Sequence, residues 1–153
     1  MLATGDLAPD FTLTDQHREA VTLSDLRGRV VVVMFYPMSF TAICGSELQA
    51  VRDDLPGLRE KDVEVVALSV DSAAAHRAWD EQEGFGFRLL ADFWPHGGVA
   101  QEYGVLDEQL GLARRGTFVL DRDGRVVWST VNEVPDARDH DELLAAVDRA
   151  VAA

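Results

Sequence analysis

The chain has 153 residues, of which 47% are hydrophobic, and this suffices for a buried core in a single domain spanning residues 1–153. Its formal net charge of −13 would repel a phosphate backbone, so the composition argues against nucleic-acid binding. The longest apolar run, residues 30–36, is too short to cross a bilayer, and residues 1–6 do not resemble a secretory signal. We therefore expect a cytoplasmic protein that does not bind membranes.

The first third of the chain predicts a hairpin followed by a buried strand. Residues 11–15 and 20–24 alternate apolar and polar side chains and predict an N-terminal β-hairpin. Residues 30–36 form a continuous β-branched and aromatic run, which predicts a strand buried on both faces. Pro37 ends this strand, because proline has no amide hydrogen to donate to a sheet.

The middle of the chain predicts two helices separated by a second buried strand. Apolar residues at helical spacing predict a helix from Thr41, and Pro56-Gly57 interrupts the pattern, so we expect this helix to end near Asp54. Residues 63–70 predict a buried strand, and Asp71-Ser72 then caps a helix predicted over residues 73–82.

The rest of the chain alternates short strands and helices. The predicted elements are a strand at 88–91, a short helix at 98–103, a hairpin formed by 116–120 and 125–130, and a helix at 139–151. Buried strands that alternate with helices predict an α/β domain with a central mixed β-sheet flanked by helices.

Cys44 is the only cysteine of the chain, so any second sulfur must come from another molecule. It is expected in or near the first turn of the helix that starts at Thr41, where the helix N-terminus stabilises a thiolate. The Thr41 hydroxyl, one turn earlier, could hydrogen-bond the sulfur or cap the helix. A lone cysteine is usually a small buried hydrophobe, so an inert role stays open at this point.

Three residues at fixed spacing resemble the active-site motif of the peroxiredoxins: Pro37, Thr41 and Cys44. Residues 5–13 resemble the start of many members of that family, and residues 115–121 resemble a strand that begins with the family's arginine. The length, the single cysteine and residues 92–97 are similar to the one-cysteine alkyl hydroperoxide reductase E type of actinobacteria.

The resemblance implies the thioredoxin-like fold of the peroxiredoxins and a role for five residues. Cys44 matches the peroxidatic cysteine, Thr41 the residue that contacts the sulfur and the peroxide, and Pro37 the proline that shields the sulfur. Arg115 matches the arginine that holds the thiolate and polarises the peroxide, and Glu47 matches an acid that can orient this arginine.

We therefore expect a thiol-dependent peroxidase that reduces hydrogen peroxide, organic hydroperoxides or peroxynitrite through a sulfenic acid at Cys44. An external thiol must resolve this sulfenic acid, and the resemblance implies mycothiol with a glutaredoxin-like protein, or a thioredoxin-type reductant. It also implies a homodimer, with Phe40 and residues 93–95 as apolar contacts. Neither a metal ion nor an organic cofactor is expected.

Two other functions remain open on the sequence alone. The first is a redox relay that uses the same reactive Cys44 to sense peroxide and passes the signal to a partner protein. The second is a non-catalytic thioredoxin-like binding module with an inert cysteine.

Overall fold

The computed structural model describes residues 2–153. Within this range the strands are β1 Thr12–Thr14, β2 Ala20–Thr22, β3 Val30–Phe35, β4 Val63–Ser69, β5 Arg88–Ala91, β6 Leu106–Asp107, β7 Leu112–Ala113, β8 Arg115–Leu120 and β9 Val126–Asn132. The α-helices are α1 Ala42–Glu60, α2 Ala73–Glu83, α3 Gly98–Glu102 and α4 His140–Ala152, and a 3₁₀ helix spans Leu23–Leu26.

Most of these strands form one mixed sheet in the order β2-β1-β5-β4-β3-β8-β9, and β6 pairs separately with β7. The strands β3 and β4 are parallel, whereas β8 runs antiparallel on the other side of β3. The N-terminal hairpin is the antiparallel pair of β1 and β2. The predicted α/β architecture with a central mixed sheet and an N-terminal hairpin is therefore confirmed.

The strand β3 is buried along its whole length because both faces of the sheet are covered. Val30, Val32 and Met34 pack in a hydrophobic cluster that includes residues of α1 and α4. The alternate residues of β3 pack in a second cluster on the opposite face, with side chains of the 3₁₀ helix and α3. This arrangement explains why β3 is a continuous apolar run rather than an alternating one.

The prediction that the first long helix ends near Asp54 is wrong, because α1 continues through Pro56 to Glu60. A proline inside a helix forfeits one backbone hydrogen bond and crowds the preceding turn. Leu55 and Leu58 on either side of it are buried in the core. Burying two leucines stabilises the segment by about 3–6 kcal/mol, which outweighs the cost of about 3 kcal/mol for the proline.

Two further differences concern short elements. Residues 23 and 24 were expected at the end of the second hairpin strand, but β2 ends at Thr22 and the 3₁₀ helix follows, so that Leu23 and Leu26 are both buried. The pair β6 and β7 was not predicted, since strands of two residues show no periodicity. None of the helices within residues 2–153 has the length and apolar character needed to cross a bilayer.

Candidate active site

The loop that follows β3 places Cys44 in the first turn of α1, as predicted. This helix begins at Ala42, directly after the loop, and the Cys44 thiol is buried with an exposed fraction of 1%. Backbone N–H groups in the first turn of a helix have no intrahelical partner, and they give this end of the helix its positive partial charge. The backbone alone therefore favours a negatively charged sulfur at this position.

Thr41 occupies the N-cap position of α1, but its hydroxyl makes neither of the two contacts considered from the sequence. It forms no capping hydrogen bond, and it donates instead to the carbonyl oxygen of Met38 at 2.8 Å. The single hydroxyl proton of Thr41 is thus engaged in a hydrogen bond within the loop. The lone pairs of Thr41 Oγ1 remain able to accept a hydrogen bond from a molecule in the adjoining pocket.

A guanidinium at the start of β8 contacts the sulfur. Arg115 Nη1 donates to Cys44 Sγ at 3.2 Å and to Glu47 Oε1 at 2.5 Å, and Arg115 Nε donates to the carbonyl oxygen of Val134 at 2.8 Å. Arg115 and Glu47 are both buried. The structure therefore brings together three of the predicted site residues, since Arg115 lies 71 positions from Cys44 and 68 positions from Glu47 in the chain.

A second buried arginine, Arg138, completes this cluster and was not predicted. Its backbone N–H and its Nε both donate to Glu47 Oε2 at 2.9 Å. Its guanidinium also donates to Thr117 Oγ1 at 2.7 Å and to the carbonyl oxygen of Phe35 at 2.5 Å. Burial lowers the pKa of Arg138, and the Glu47 carboxylate acts in the opposite direction.

A thiolate at Cys44 would balance the charges of this cluster. Two buried guanidinium groups, those of Arg115 and Arg138, share the single carboxylate of Glu47. The three side chains together carry one net positive charge, and an unbalanced buried charge is costly. A negatively charged Cys44 sulfur, in contact with Arg115, neutralises it.

A pocket of about 410 Å³ opens beside the sulfur. Its walls are mostly apolar and consist of Pro37, Met38, Thr41, Ala42, Ile43, Cys44, Leu112, Arg115, Val134 and Pro135. The structure thus brings the predicted Pro37 and Thr41 to the same pocket as the thiol and Arg115. Leu112 reaches the pocket from the unpredicted strand β7.

The large aromatic residues singled out from the sequence lie elsewhere. Phe40 and Phe93 are each 53% exposed and Trp94 is 81% exposed, and none of them lines the pocket. Trp79 is buried with its ring centroid 5.9 Å from that of Phe40. Among residues 2–153, no group of three or more His, Cys, Asp or Glu side chains is placed to hold a metal ion.

A cysteine sulfur in a mostly apolar pocket, with a guanidinium fixed at its side, is suited to nucleophilic attack on a small electrophile once it is deprotonated. The guanidinium keeps its charge at any working pH and presents several donors in a rigid plane. These donors can stabilise negative charge that spreads from the sulfur to atoms of a bound molecule.

Comparison with known proteins identifies the family. The profile of the AhpC/TSA family matches residues 4–129. Alkyl hydroperoxide reductase E of Mycobacterium tuberculosis is 47% identical over 140 residues, which cover 91% of this chain and 92% of that protein. Peroxiredoxin-2 of Mus musculus is 40% identical over 153 residues, which cover 94% of this chain and 76% of that protein.

Solved structures agree with these sequence matches. The crystal structure of Enterococcus faecalis AhpC has a TM-score of 0.89 at 29% identity and covers 97% of this chain and 92% of its own. The structure of Mycobacterium tuberculosis AhpC has a TM-score of 0.85 at 26% identity, with coverage of 97% and 92%. The thioredoxin-like fold expected from the resemblance is therefore confirmed. The family match covers most of the chain, and the structure has a cysteine in the first turn of a helix that an arginine contacts. The chain therefore belongs to the AhpC/TSA family and is a peroxiredoxin, a thiol-based peroxidase.

Proposed function

We propose that this peroxiredoxin reduces hydroperoxides by a one-cysteine mechanism in which Cys44 is the peroxidatic residue and an external thiol completes the cycle. The observation that carries the proposal is the buried contact of 3.2 Å between Arg115 Nη1 and Cys44 Sγ. Its surroundings, a charge cluster that a thiolate neutralises, support the same assignment.

The first step transfers one oxygen atom to sulfur. The Cys44 thiolate attacks the terminal oxygen of the hydroperoxide, the O–O bond breaks, and its electron pair leaves with the second oxygen as an alkoxide or hydroxide that takes up a proton. Sulfur is oxidised to a sulfenic acid and the peroxide is reduced to an alcohol or water. Arg115 stabilises the negative charge that spreads over the sulfur and both oxygens in the transition state.

Two loop residues prepare the peroxide for this attack. The Thr41 hydroxyl oxygen accepts a hydrogen bond from the O–H of the hydroperoxide, since its own proton is directed to the Met38 carbonyl. Pro37, which is buried in the pocket wall, keeps water away from the sulfur. Glu47 acts indirectly, because its carboxylate fixes the position of the Arg115 guanidinium.

The second half of the cycle needs thiols from outside the chain, since Cys44 is its only cysteine. The sulfur of an external thiolate attacks the sulfenic sulfur, a disulfide bond forms, and hydroxide leaves and is protonated to water. A second thiolate then attacks the mixed disulfide and releases the Cys44 thiolate. Mycothiol with a glutaredoxin-like protein, or a thioredoxin-type protein, are the reductants we propose.

The pocket supports hydrogen peroxide and organic hydroperoxides as substrates, with peroxynitrite as a further candidate. Apart from Arg115, no charged side chain lines the pocket within the part of the chain that the structure describes. Met38 and Ile43 are partly exposed, so an alkyl group that extends from the sulfur would be removed from water against them. We therefore propose that hydroperoxides with apolar substituents react faster than their polar analogues.

The assembly and location that we propose are a homodimer and the cytoplasm. Phe40, Phe93 and Trp94 are exposed aromatic side chains, and aromatic residues are enriched at protein interfaces.

Stopped-flow tryptophan fluorescence of the reduced protein mixed with substoichiometric peroxide tests the proposal, with Cys44→Ser as the control. We expect a change in the parent protein at least ~100-fold faster than the reaction of a free thiol, and none in the variant. Intact mass after addition of peroxide and a small thiol should show one disulfide adduct. A parent protein no faster than a free thiol, by fluorescence and by thiol titration, would refute the proposal.

Turnover separates a peroxidase from a sensor that uses the same chemistry. A peroxidase consumes many equivalents of peroxide when an external thiol reductant is supplied. A relay protein would react once at Cys44 and then cycle slowly unless its specific partner were present.

A further inference from the structure

A second polar network, which is largely buried, connects the loop of residues 37–41 to the end of β4 and to α2. The carboxylate of Asp71, two residues after β4, accepts two hydrogen bonds at Oδ2. The backbone N–H of Ser39 donates at 2.9 Å and the hydroxyl of Ser69 donates at 2.5 Å. Ser39 and Ser69 are both buried, and the Ser39 hydroxyl also bonds the hydroxyl of Tyr36 at 3.0 Å.

The directions of the bonds among Asp71, Ser69 and His76 follow from the number of protons available. The Ser69 hydroxyl has one proton and gives it to Asp71, so His76 Nε2, 2.7 Å from Ser69 Oγ, must be the donor in that pair. Burial lowers the pKa of His76 to about 4, so the ring is neutral at pH 7 and carries its proton on Nε2. Asp71 is thus the acceptor of this network, bonded to Ser69 of β4, which in turn is bonded to His76 of α2.

The residue that this network holds, Ser39, lies between two residues of the pocket. Pro37 is two positions before it and Thr41 two positions after it, and both line the space beside Cys44. The next residue, Phe40, has a φ of +63°, in the left-handed region that side chains other than glycine rarely adopt. Such a conformation persists only where the surroundings hold it.

We propose that Asp71 is a positioning residue for the peroxide pocket, because its carboxylate fixes the loop of residues 37–41 through the Ser39 N–H. A hydrogen bond to an ionised acceptor is stronger than one between neutral groups, so one side chain can hold a strained loop. With the bond in place, Pro37 and Thr41 stay over the sulfur. The proposal rests on the peroxidase function proposed above.

The test compares Asp71→Ala and Asp71→Asn with a matched control, Ser72→Ala. Ser72 is the adjacent residue, and its hydroxyl caps α2 by accepting from Ala75 N–H, so its loss weakens the same region without touching Ser39. Three quantities are measured for each protein: the rate with hydrogen peroxide, the rate of alkylation by iodoacetamide, and Tm.

We expect Asp71→Ala to lower the peroxide rate by about 10-fold or more, because small displacements of positioning groups are costly in catalysis. Alkylation needs an accessible thiolate, which Arg115 still favours, but it needs no bound peroxide, so its rate should stay equal or become faster. Asp71→Asn should lose only about 3-fold, since an amide oxygen can still accept from Ser39 N–H but carries no charge. Ser72→Ala should lower Tm and keep the peroxide rate of the parent.

A folded Asp71→Ala protein with the peroxide rate of the parent overturns the proposal, and so does an equal fall of both rates. If Asp71→Ala does not fold, Asp71→Asn decides: a lower peroxide rate at unchanged alkylation supports the positioning role, and a rate equal to the parent overturns it. Failure of the peroxidase function itself is distinct, because then the parent protein and Cys44→Ser would be equally unreactive towards peroxide.

Discussion

Glu47 is the residue on which the geometry beside Cys44 depends. One oxygen of its carboxylate accepts from Arg115 and the other from Arg138, so a single side chain orients one guanidinium against the sulfur and another against the backbone of β3. Because both arginines are buried, the carboxylate also offsets most of the cost of keeping them there.

The effect of the planar guanidinium of Arg115 on the peroxide rate can be separated from the effect of its positive charge. We expect Arg115→Lys to lower the rate of the peroxide reaction about 100-fold, because an ammonium keeps the charge but loses the planar set of donors. Stopped-flow fluorescence measures this rate. The neighbouring Arg114 is the matched control, since its side chain is partly exposed and pairs with Glu133. Arg114→Lys should react like the parent, and an equally reactive Arg115→Lys protein would contradict the prediction.

At the scale of residues, the motif named residues that the structure brings together, but it did not predict their detailed contacts. Cys44, Glu47 and Arg115 were named from the resemblance, and the structure brings them into contact. Arg138 was missed, because an arginine in a polar segment before a helix has the same sequence pattern whether it is buried or exposed. The proton of Thr41 could not be assigned either, since its direction depends on where the Met38 carbonyl lies in the loop.

Among the elements, the helix α1 contains a proline whose replacement should stabilise the protein. Pro56 is exposed and lies inside the helix, where the missing amide leaves one backbone carbonyl without its intrahelical partner. We expect Pro56→Ala to raise the free energy of unfolding by about 2 kcal/mol, which is the helix cost of the proline less the greater flexibility of the unfolded chain. Urea denaturation measures this change, and the peroxide rate should not move. A lower stability of the variant would show that the proline is accommodated without cost.

The packing of α2 on the sheet makes stability depend on pH. Burial lowers the pKa of His76 from 6.5 to about 4, so between these values the unfolded chain binds a proton that the folded chain does not. Stability is therefore lost as pH falls through this window, by about 2 kcal/mol between pH 7 and pH 5. Urea denaturation at several pH values measures the slope. His17→Gln, which changes an exposed histidine, should keep this slope, and a flat profile in the parent would contradict the prediction.

Long elements with an unambiguous pattern were predicted well, and short ones were not. The apolar run at residues 30–36 identified β3 because burial on both faces demands it. The end of α1 was misplaced, since the pattern shows the proline but not the buried neighbours that keep the helix intact. Strands of two residues, such as β6 and β7, are held by tertiary contacts and have no pattern of their own.

For the whole molecule, exposed aromatic surface leads to a prediction about assembly. We expect a particle of twice the chain's mass by light scattering at micromolar concentration, because Phe40, Phe93 and Trp94 would then be removed from water. Trp94→Ser should shift the equilibrium towards the monomer. Leu110→Ser, which changes a similarly exposed apolar residue outside this group, should not. A monomeric parent protein would contradict the prediction.

The α/β layout followed from the alternation of buried strands with helices, and the family match agrees with it. That the chain forms one domain stays a prediction. The contact between Glu47 and Arg138 could not be derived from local sequence patterns, because residues so far apart in the chain meet only in the complete fold.

This long-range relation has a consequence for how the protein acquires its activity. Glu47 and Arg138 are 91 positions apart, and the arginine that contacts the sulfur is 71 positions from Cys44. Contacts of such high sequence separation form slowly in folding, because a long loop must close before they bring any gain. On a ribosome, Cys44 emerges long before either arginine has been synthesised. If Cys44 reacts as proposed, we expect the nascent chain to lack rapid reaction with peroxide, and the appearance of this reaction during refolding should mark the completion of the native state.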